Sequence, residues 1–236
     1  MKTLIGVIQS EANKYCQTEW IANLKNLNGD YEVLIVENSF DDDNFDFLKS
    51  QFKHVLKGPY LNEIKERIVT NRNIVLNWFR EHKEYDNLLF LDSDIFPPKE
   101  ALQMLLKDNK DIIGTVCWIV GSAQSLRCAW NFFREDVELG KHLDYVKYLT
   151  GNKTVMLDKG DVIKIKEIGL GCTLFNGNIL RKNKIEFKSD EFELNEDFTF
   201  IRDLQKEGYK SYIDMKVCCF HNLEKFGYRG EQEWLK

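Results

Sequence analysis

The chain has 236 residues, 43% of them hydrophobic, enough to fill one substantial α/β core and a better fit to that than to two small domains. A formal net charge of −5, with acidic and basic residues interspersed, leaves no broad basic face and argues against a nucleic-acid partner. The six cysteines form no C-x-x-C pair and lie mostly in apolar, strand-like runs. That is the usage of small hydrophobes in a reducing compartment, so a cytoplasmic setting is expected.

The opening "TLIGVIQ" (3–9) is too short for a signal peptide and reads as a buried strand, as does "YEVLIVEN" (31–38). Between them "CQTEWIANLKNL" has helical apolar spacing, which makes a parallel βαβ unit. Acidic "SFDDDNFDFLKSQF" leads from a loop into a short helix, and "HVLKG" supplies a third strand. From Glu63 to Arg80 a helical stripe of Ile64, Ile68, Val75 and Phe79 is interrupted by Asn71 and Arg72. An internal ion pair and an anionic ligand explain that arginine equally well.

"NLLFLDSDIFPP" (87–98) is a central strand, and Pro97-Pro98 start the helix "KEALQMLLKD", since a first turn tolerates proline. "DIIGTVCWIV" is a further strand, and the apolar stretch it opens is too short to span a membrane, so no intrinsic membrane anchor is expected. The aperiodic, aromatic-rich region 121–153 reads as an inserted loop and helix over one edge or over the site. "VMLDKGDVIKIKEI" is a hairpin turning at 158–161, and "GLGCTLFNGNIL" begins with glycines that permit close approach. "NEDFTFIRDLQKEGY" is an amphipathic helix ending at Gly208. "KSYIDMKVCCFHN" gives one or two last strands before a charged tail.

Asp92 and Asp94 stand where the apolar run Leu88–Leu91 ends. Ligands of open α/β sheets bind beyond the carboxyl ends of the strands. Alternation in an extended chain sends residues i and i+2 to one side, so both carboxylates are expected to address one cation while Ser93 points elsewhere. Hard oxygen donors suit Mg2+ or Mn2+, which keep waters and take further ligands from phosphates. A D-x-D arises by chance in acidic chains; its place after a buried strand gives it weight. Asn195-Glu196-Asp197 opens a helix, where an asparagine N-cap and the helix dipole are the structural alternative to a chemical role. His221 leaves the apolar "VCCF", as a structural histidine or a further metal ligand.

Together the acidic strand end, "TNRN" (70–73), "IGLGCTLFNGNIL" and above all "NEDFTFIRDLQKEGYKSYID" with "FH" downstream resemble the GT-A glycosyltransferases. Within them the likeness is to the inverting, nucleotide-sugar-dependent family 2, over roughly residues 3–222. The resemblance implies a single α/β domain: a Rossmann-like, mostly parallel central sheet flanked by helices, with a small antiparallel hairpin. The nucleotide-binding half would be about 1–95, the acceptor-binding half about 96–222 and the C-terminal tail 223–236.

The same resemblance implies that Asp92, Ser93 and Asp94 hold Mn2+ or Mg2+ and the nucleoside diphosphate. Asp94 would be the more direct ligand and His221 an additional one. Arg72 would lie near the nucleotide, and Asp197, or failing that Glu196, would be the base that deprotonates an acceptor hydroxyl. Gly169, Gly171, Cys172 and Trp118 would line the donor-sugar and acceptor pocket. Gln9 and Ser10 after the first strand, and Glu37 and Asn38 after the second, are expected beside base and ribose. The implied partners are a nucleoside-diphosphate sugar donor and a glycan or other hydroxyl acceptor. The first loop keeps only the family's polar character, and its C-terminal acceptor-binding or membrane extension has no counterpart, so a free enzyme or one domain of an assembly is expected. Three other readings stay open. One is a retaining GT-A transferase, which also carries D-x-D. Another is a nucleotidyltransferase making nucleotide sugars, although its glycine- and arginine-rich loop is missing. The last is an inactive GT-A binding module, although every carboxylate and the histidine are present.

Overall fold

In the computed structural model, residues 1–120, 128–130, 132–134, 162–189 and 196–222 are described, with backbone alone at 118–120, 128–130 and 132–134. β1 (Thr3–Gln9) leads through a 3-10 turn (Glu11–Cys16) into α1 (Gln17–Lys25), β2 (Tyr31–Glu37), α2 (Asp43–Gln51) and β3 (His54–Lys57). Next come α3 (Ile64–Glu81), β4 (Asn87–Leu91), β5 (Ile95–Phe96), α4 (Ala101–Asp108), β6 (Ile112–Val116) and β7 (Trp118–Val120). β8 (Cys128–Trp130), β9 (Phe132–Arg134), β10 (Val162–Ile168), β11 (Cys172–Asn176) and α5 (Gly177–Lys182) follow. α6 (Glu196–Lys206), β12 (Ser211–Cys218) and β13 (Phe220–His221) complete the described elements.

One sheet takes the order β3-β2-β1-β4-β11-β6-β12-β10-β9. Parallel pairs join β1 to β2 and β4, β2 to β3, and β6 to β12. β11 is antiparallel to β4 and β6, and β10 to β12 and β9. All strands of this sheet except β10 and β11 therefore point the same way, and the expected mostly parallel α/β sheet is present. Because β11 runs backwards, its first residue Cys172 pairs with Leu91, the last of β4, so the glycine segment before it arrives at the carboxyl end where Asp92 emerges.

Alternation along the strands divides the core into two layers. One layer holds Leu4 with Val75, Leu76 and Phe79 of α3 and Phe200, Ile201 and Leu204 of α6. The other holds Ile5 and Val7 with Trp20 and Leu24 of α1, Leu48 of α2 and Leu102 and Leu105 of α4. Each such side chain contributes roughly 1.5–3 kcal/mol by leaving water, before the cost in conformational entropy. Gly6 lets α3 lie close on β1, since a Cβ there would be 2.3 Å from Val75 Cγ1.

Several local expectations shift. Pro97 and Pro98 precede α4, whose first residue Ala101 donates its N–H to Pro98 O at 2.9 Å. "DIIGTVCWIV" breaks at Cys117, after which β7 leaves the main sheet to pair with β8. The short helix α5 was not anticipated; Asn176 caps it by accepting from Asn178 N at 2.9 Å. Gly208 ends α6 with φ at 92°, a left-handed conformation that favours glycine. The turn 158–161, Asn195, the tail 223–236 and most of 121–160 lie outside the described residues. Among the described residues no helix is long and apolar enough to cross a membrane.

Candidate active site

β4 is buried along its whole length, and the chain turns as soon as it surfaces. Asp92 N donates to Gly171 O at 2.9 Å, and Ile95 N donates to Asp92 O at 3.1 Å. The acidic segment is thus a turn and not an extended continuation of the strand, so alternation does not govern it. The two carboxylates take different partners: Asp92 Oδ1 lies 3.5 Å from an Arg72 nitrogen, and Asp94 Oδ2 lies 3.6 Å from His221 Nε2. Ser93 is buried between them, its Oγ accepting from Asn13 Nδ2 at 2.6 Å. The Cys16 thiol donates to Ser93 O at 3.6 Å, and the Tyr15 hydroxyl donates to Asn222 O at 2.9 Å. The 3-10 turn after β1 therefore clamps the acidic turn and the last strand together. Nothing in the sequence marked Asn13 or Tyr15 beyond the polar character of their loop.

Arg72 occupies the break in the α3 stripe, and its side chain is only 7% exposed. Besides Asp92 it pairs with Glu196, guanidinium to Oε1 at 2.8 Å. Burial works against its charge, but Glu196, Asp92 and Asp197 outweigh it and hold the pKa above the usual arginine value. The arginine thus makes internal ion pairs, and its partners are the carboxylates expected at the site. Its neighbour Asn71 is fully buried, donating from Nδ2 to Arg67 O at 2.7 Å.

α6 opens with Glu196 and Asp197, and Asp197 Oδ1 accepts the Phe198 N–H at 2.8 Å. Burial pushes the Asp197 carboxyl up to about 7; Arg72 opposes this and Glu196 adds to it. Asp92 is also raised, chiefly by burial, with Arg72 opposing and Asp94 adding. Its side chain nevertheless keeps 38% of its surface open, which leaves an edge for a ligand.

His221 reaches Asp94 because β13 pairs antiparallel with β5, His221 opposite Ile95, while Asn222 N donates to Asp94 O at 2.8 Å. Gln9 ends β1 with both amide atoms buried and without hydrogen-bond partners, an orphaned polar group at the carboxyl end of the sheet. Glu37 is fully buried and engaged by protein groups: Oε1 accepts from Ser39 N at 2.9 Å, from Asn44 Nδ2 at 3.1 Å and from the Ser39 hydroxyl, while Oε2 pairs with Lys57 at 3.0 Å. Asn38 is buried and donates its N–H to Gln9 O at 2.9 Å. Ser10 stands at the N-cap of the 3-10 turn without a side-chain cap bond. A Cβ on Gly171 would lie 3.7 Å from Asp92 Oδ2, so this glycine borders the acidic turn. Cys172 is instead sealed in the core, and Gly169 O accepts the Thr173 hydroxyl at 3.0 Å. Trp118 begins β7, and its side chain lies outside the described residues.

No protein-family model and no curated protein matches the chain. Solved structures do. A197 from STIV has a TM-score of 0.57 at 17% identity, covering 95% of this chain and 87% of that one. TarS from S. aureus has 0.56 at 16% identity over 96% of this chain and 38% of TarS. The TarS 1–349 structure has 0.55 at 19% identity, over 96% of this chain and 62% of that one. The chain shares the fold of these structures.

In this fold the site gathers Asp92, Asp94, Glu196 and Asp197 around one guanidinium and one imidazole. The surplus of carboxylates suits a divalent cation. Asp94 and His221 supply an adjacent pair of donors and Asp92 an open edge, but among the described residues no cluster of three His, Cys, Asp or Glu side chains forms a cage. An incomplete set of mostly hard donors fits Mg2+ or Mn2+, which keep waters and bind phosphate oxygens, better than a structural metal.

Proposed function

We propose that the protein is a metal-dependent glycosyltransferase that moves a sugar from a nucleoside-diphosphate sugar to an acceptor hydroxyl, with inversion and with Asp197 as base. The observation that carries this reading is Arg72, buried and paired at once with Asp92 of the acidic turn and Glu196 beside Asp197. It ties a strand end suited to a diphosphate to a helix start suited to a base.

A divalent cation held by Asp94, His221 and Asp92 would neutralise the diphosphate. Arg72 stabilises the negative charge that grows on the leaving phosphate oxygen as the glycosidic C–O bond breaks. Asp197 accepts the proton of the acceptor hydroxyl while that oxygen forms the new bond to the anomeric carbon. A carboxyl near 7 is matched to such a task at neutral pH. Glu196 balances the arginine charge. The Gln9 amide, buried and unpartnered, is assigned to the nucleoside, and Gly169 and Gly171 to the edge of the sugar pocket. Glu37, Ser93 and Cys172 are assigned structural roles, because their polar atoms or side chains are already enclosed by protein.

Calorimetric titration of UDP and of GDP, with and without Mn2+, tests the assignment. The wild type should bind one of them in a Mn2+-dependent way, and Asp94→Ala should abolish that dependence. Undiminished Mn2+-dependent binding by the variant would remove Asp94 from the site.

A further inference from the structure

Between α5 and α6, residues 184–189 make no regular element, yet they bury Phe187. Its ring stacks on Phe200 of α6, with centroids 4.0 Å apart and planes 18° from parallel. It meets Phe90 of β4 edge-on at 5.4 Å, and the Arg72 guanidinium lies 5.8 Å from it. Each of these neighbours lies close in the chain to a site residue: Phe90 lies just before Asp92, Phe200 one turn after Asp197, and Arg72 is itself in the site.

The ring is pinned by Asn73, the residue after Arg72. Asn73 Nδ2 donates to Phe187 O and its Oδ1 accepts from Phe187 N, both at 2.9 Å. Buried backbone groups usually find such partners in a sheet or helix. Here one side chain supplies both, so the segment is fastened to α3 beside the arginine that joins the two halves of the site.

We propose that Asn73, acting through Phe187, is a positioning residue that sets the separation between the Glu196–Asp197 end of α6 and the Asp92 end of β4; the inference rests on the transferase reading. Asn73 acts on geometry alone. Donor binding depends mainly on the ends of β4 and β13, whereas transfer also requires the Asp197 carboxylate, the acceptor oxygen and the anomeric carbon in register. Loss of the pin should therefore lower turnover far more than donor affinity.

Wild type, Asn73→Ala, Asn73→Asp and Phe187→Leu are compared in two assays. Amide hydrogen exchange, which needs no substrate, should quicken at the start of α6 in Asn73→Ala and Phe187→Leu and stay unchanged in β1 and β2. On the nucleotide sugar that the wild type uses, kcat of Asn73→Ala should fall about 100-fold while the donor KM stays within about twofold. Asn73→Asp keeps an acceptor for Phe187 N and should recover part of the loss. Unchanged kcat in Asn73→Ala overturns the proposal, as does faster exchange across the whole sheet with melting temperature, kcat and KM all impaired together. A wild type that binds no nucleoside diphosphate and transfers no sugar overturns the transferase reading instead. In that case, exchange confined to α6 still supports the pin, and unaltered exchange there refutes it.

Discussion

The proton on Asp197 links stability to chemistry at a single residue. Its folded pKa of about 7 lies above the ordinary aspartate value of roughly 4, so between those limits the folded chain holds a proton that the unfolded chain has released. This contribution to stability is therefore fully present below about pH 4, falls as pH rises toward 7, and is flat beyond. Asp197→Asn removes the dependence. Urea unfolding without metal should find the variant more stable than wild type at pH 8, by on the order of 4 kcal/mol, with the difference vanishing near pH 4. An equal difference at both pH values would mean that Asp197 ionises normally. Arg72, Glu196, Asp197 and His221 were legible because each breaks a local pattern: a polar gap in an apolar stripe, acids at a helix start, a histidine leaving an apolar run. Asn13, Tyr15 and Asn73 were not, since their bonds span 80, 207 and 114 residues and leave no periodicity to read.

At the scale of elements, α3 is where sequence and structure agree most usefully. Its polar break is a packing solution as well as a charge site, because Asn71 fits only where Gly58 leaves room; a Cβ there would lie 1.8 Å from Asn71 Oδ1 and 2.7 Å from Val36 Cγ1. Gly58→Ala should destabilise the protein by about 1–3 kcal/mol in denaturant unfolding, since neither buried neighbour can move away freely. A neutral result would show that α3 is seated by other contacts. Strands β1 to β4 and helices α1 to α3 follow from apolar period and length. The reversed direction of β11 does not, because an apolar run marks a strand without giving its sense. The turn at Asp92–Ile95 was hidden for a related reason: apolar residues continue on both sides of it, and only the bonds to Gly171 and within the turn bend the chain.

Across the whole molecule, a single geometric device assembles the site. Same-direction strands bring their carboxyl ends to one edge, the backward strand β11 returns Gly171 to that edge, and β13 folds back on β5 to add His221. Residues distant in sequence thereby meet at this edge, Asp92 and Glu196 on Arg72 and Asp94 on His221. Sequence pattern sufficed for the α/β class and for most of the carboxylates. Which carboxylate faces Arg72 and which faces His221 emerged only from topology, because those pairings are set by strand order and not by spacing.

The most direct measurement is nucleoside-diphosphate release from a panel of nucleotide sugars, with Mn2+ and a mixture of glycan acceptors, for wild type and Asp197→Asn at pH 8. The wild type should release nucleoside diphosphate from at least one donor only when Mn2+ is present, while Asp197→Asn binds that donor and releases none. Release by Asp197→Asn at the wild-type rate, or no Mn2+-dependent release from any donor by the wild type, would contradict the account.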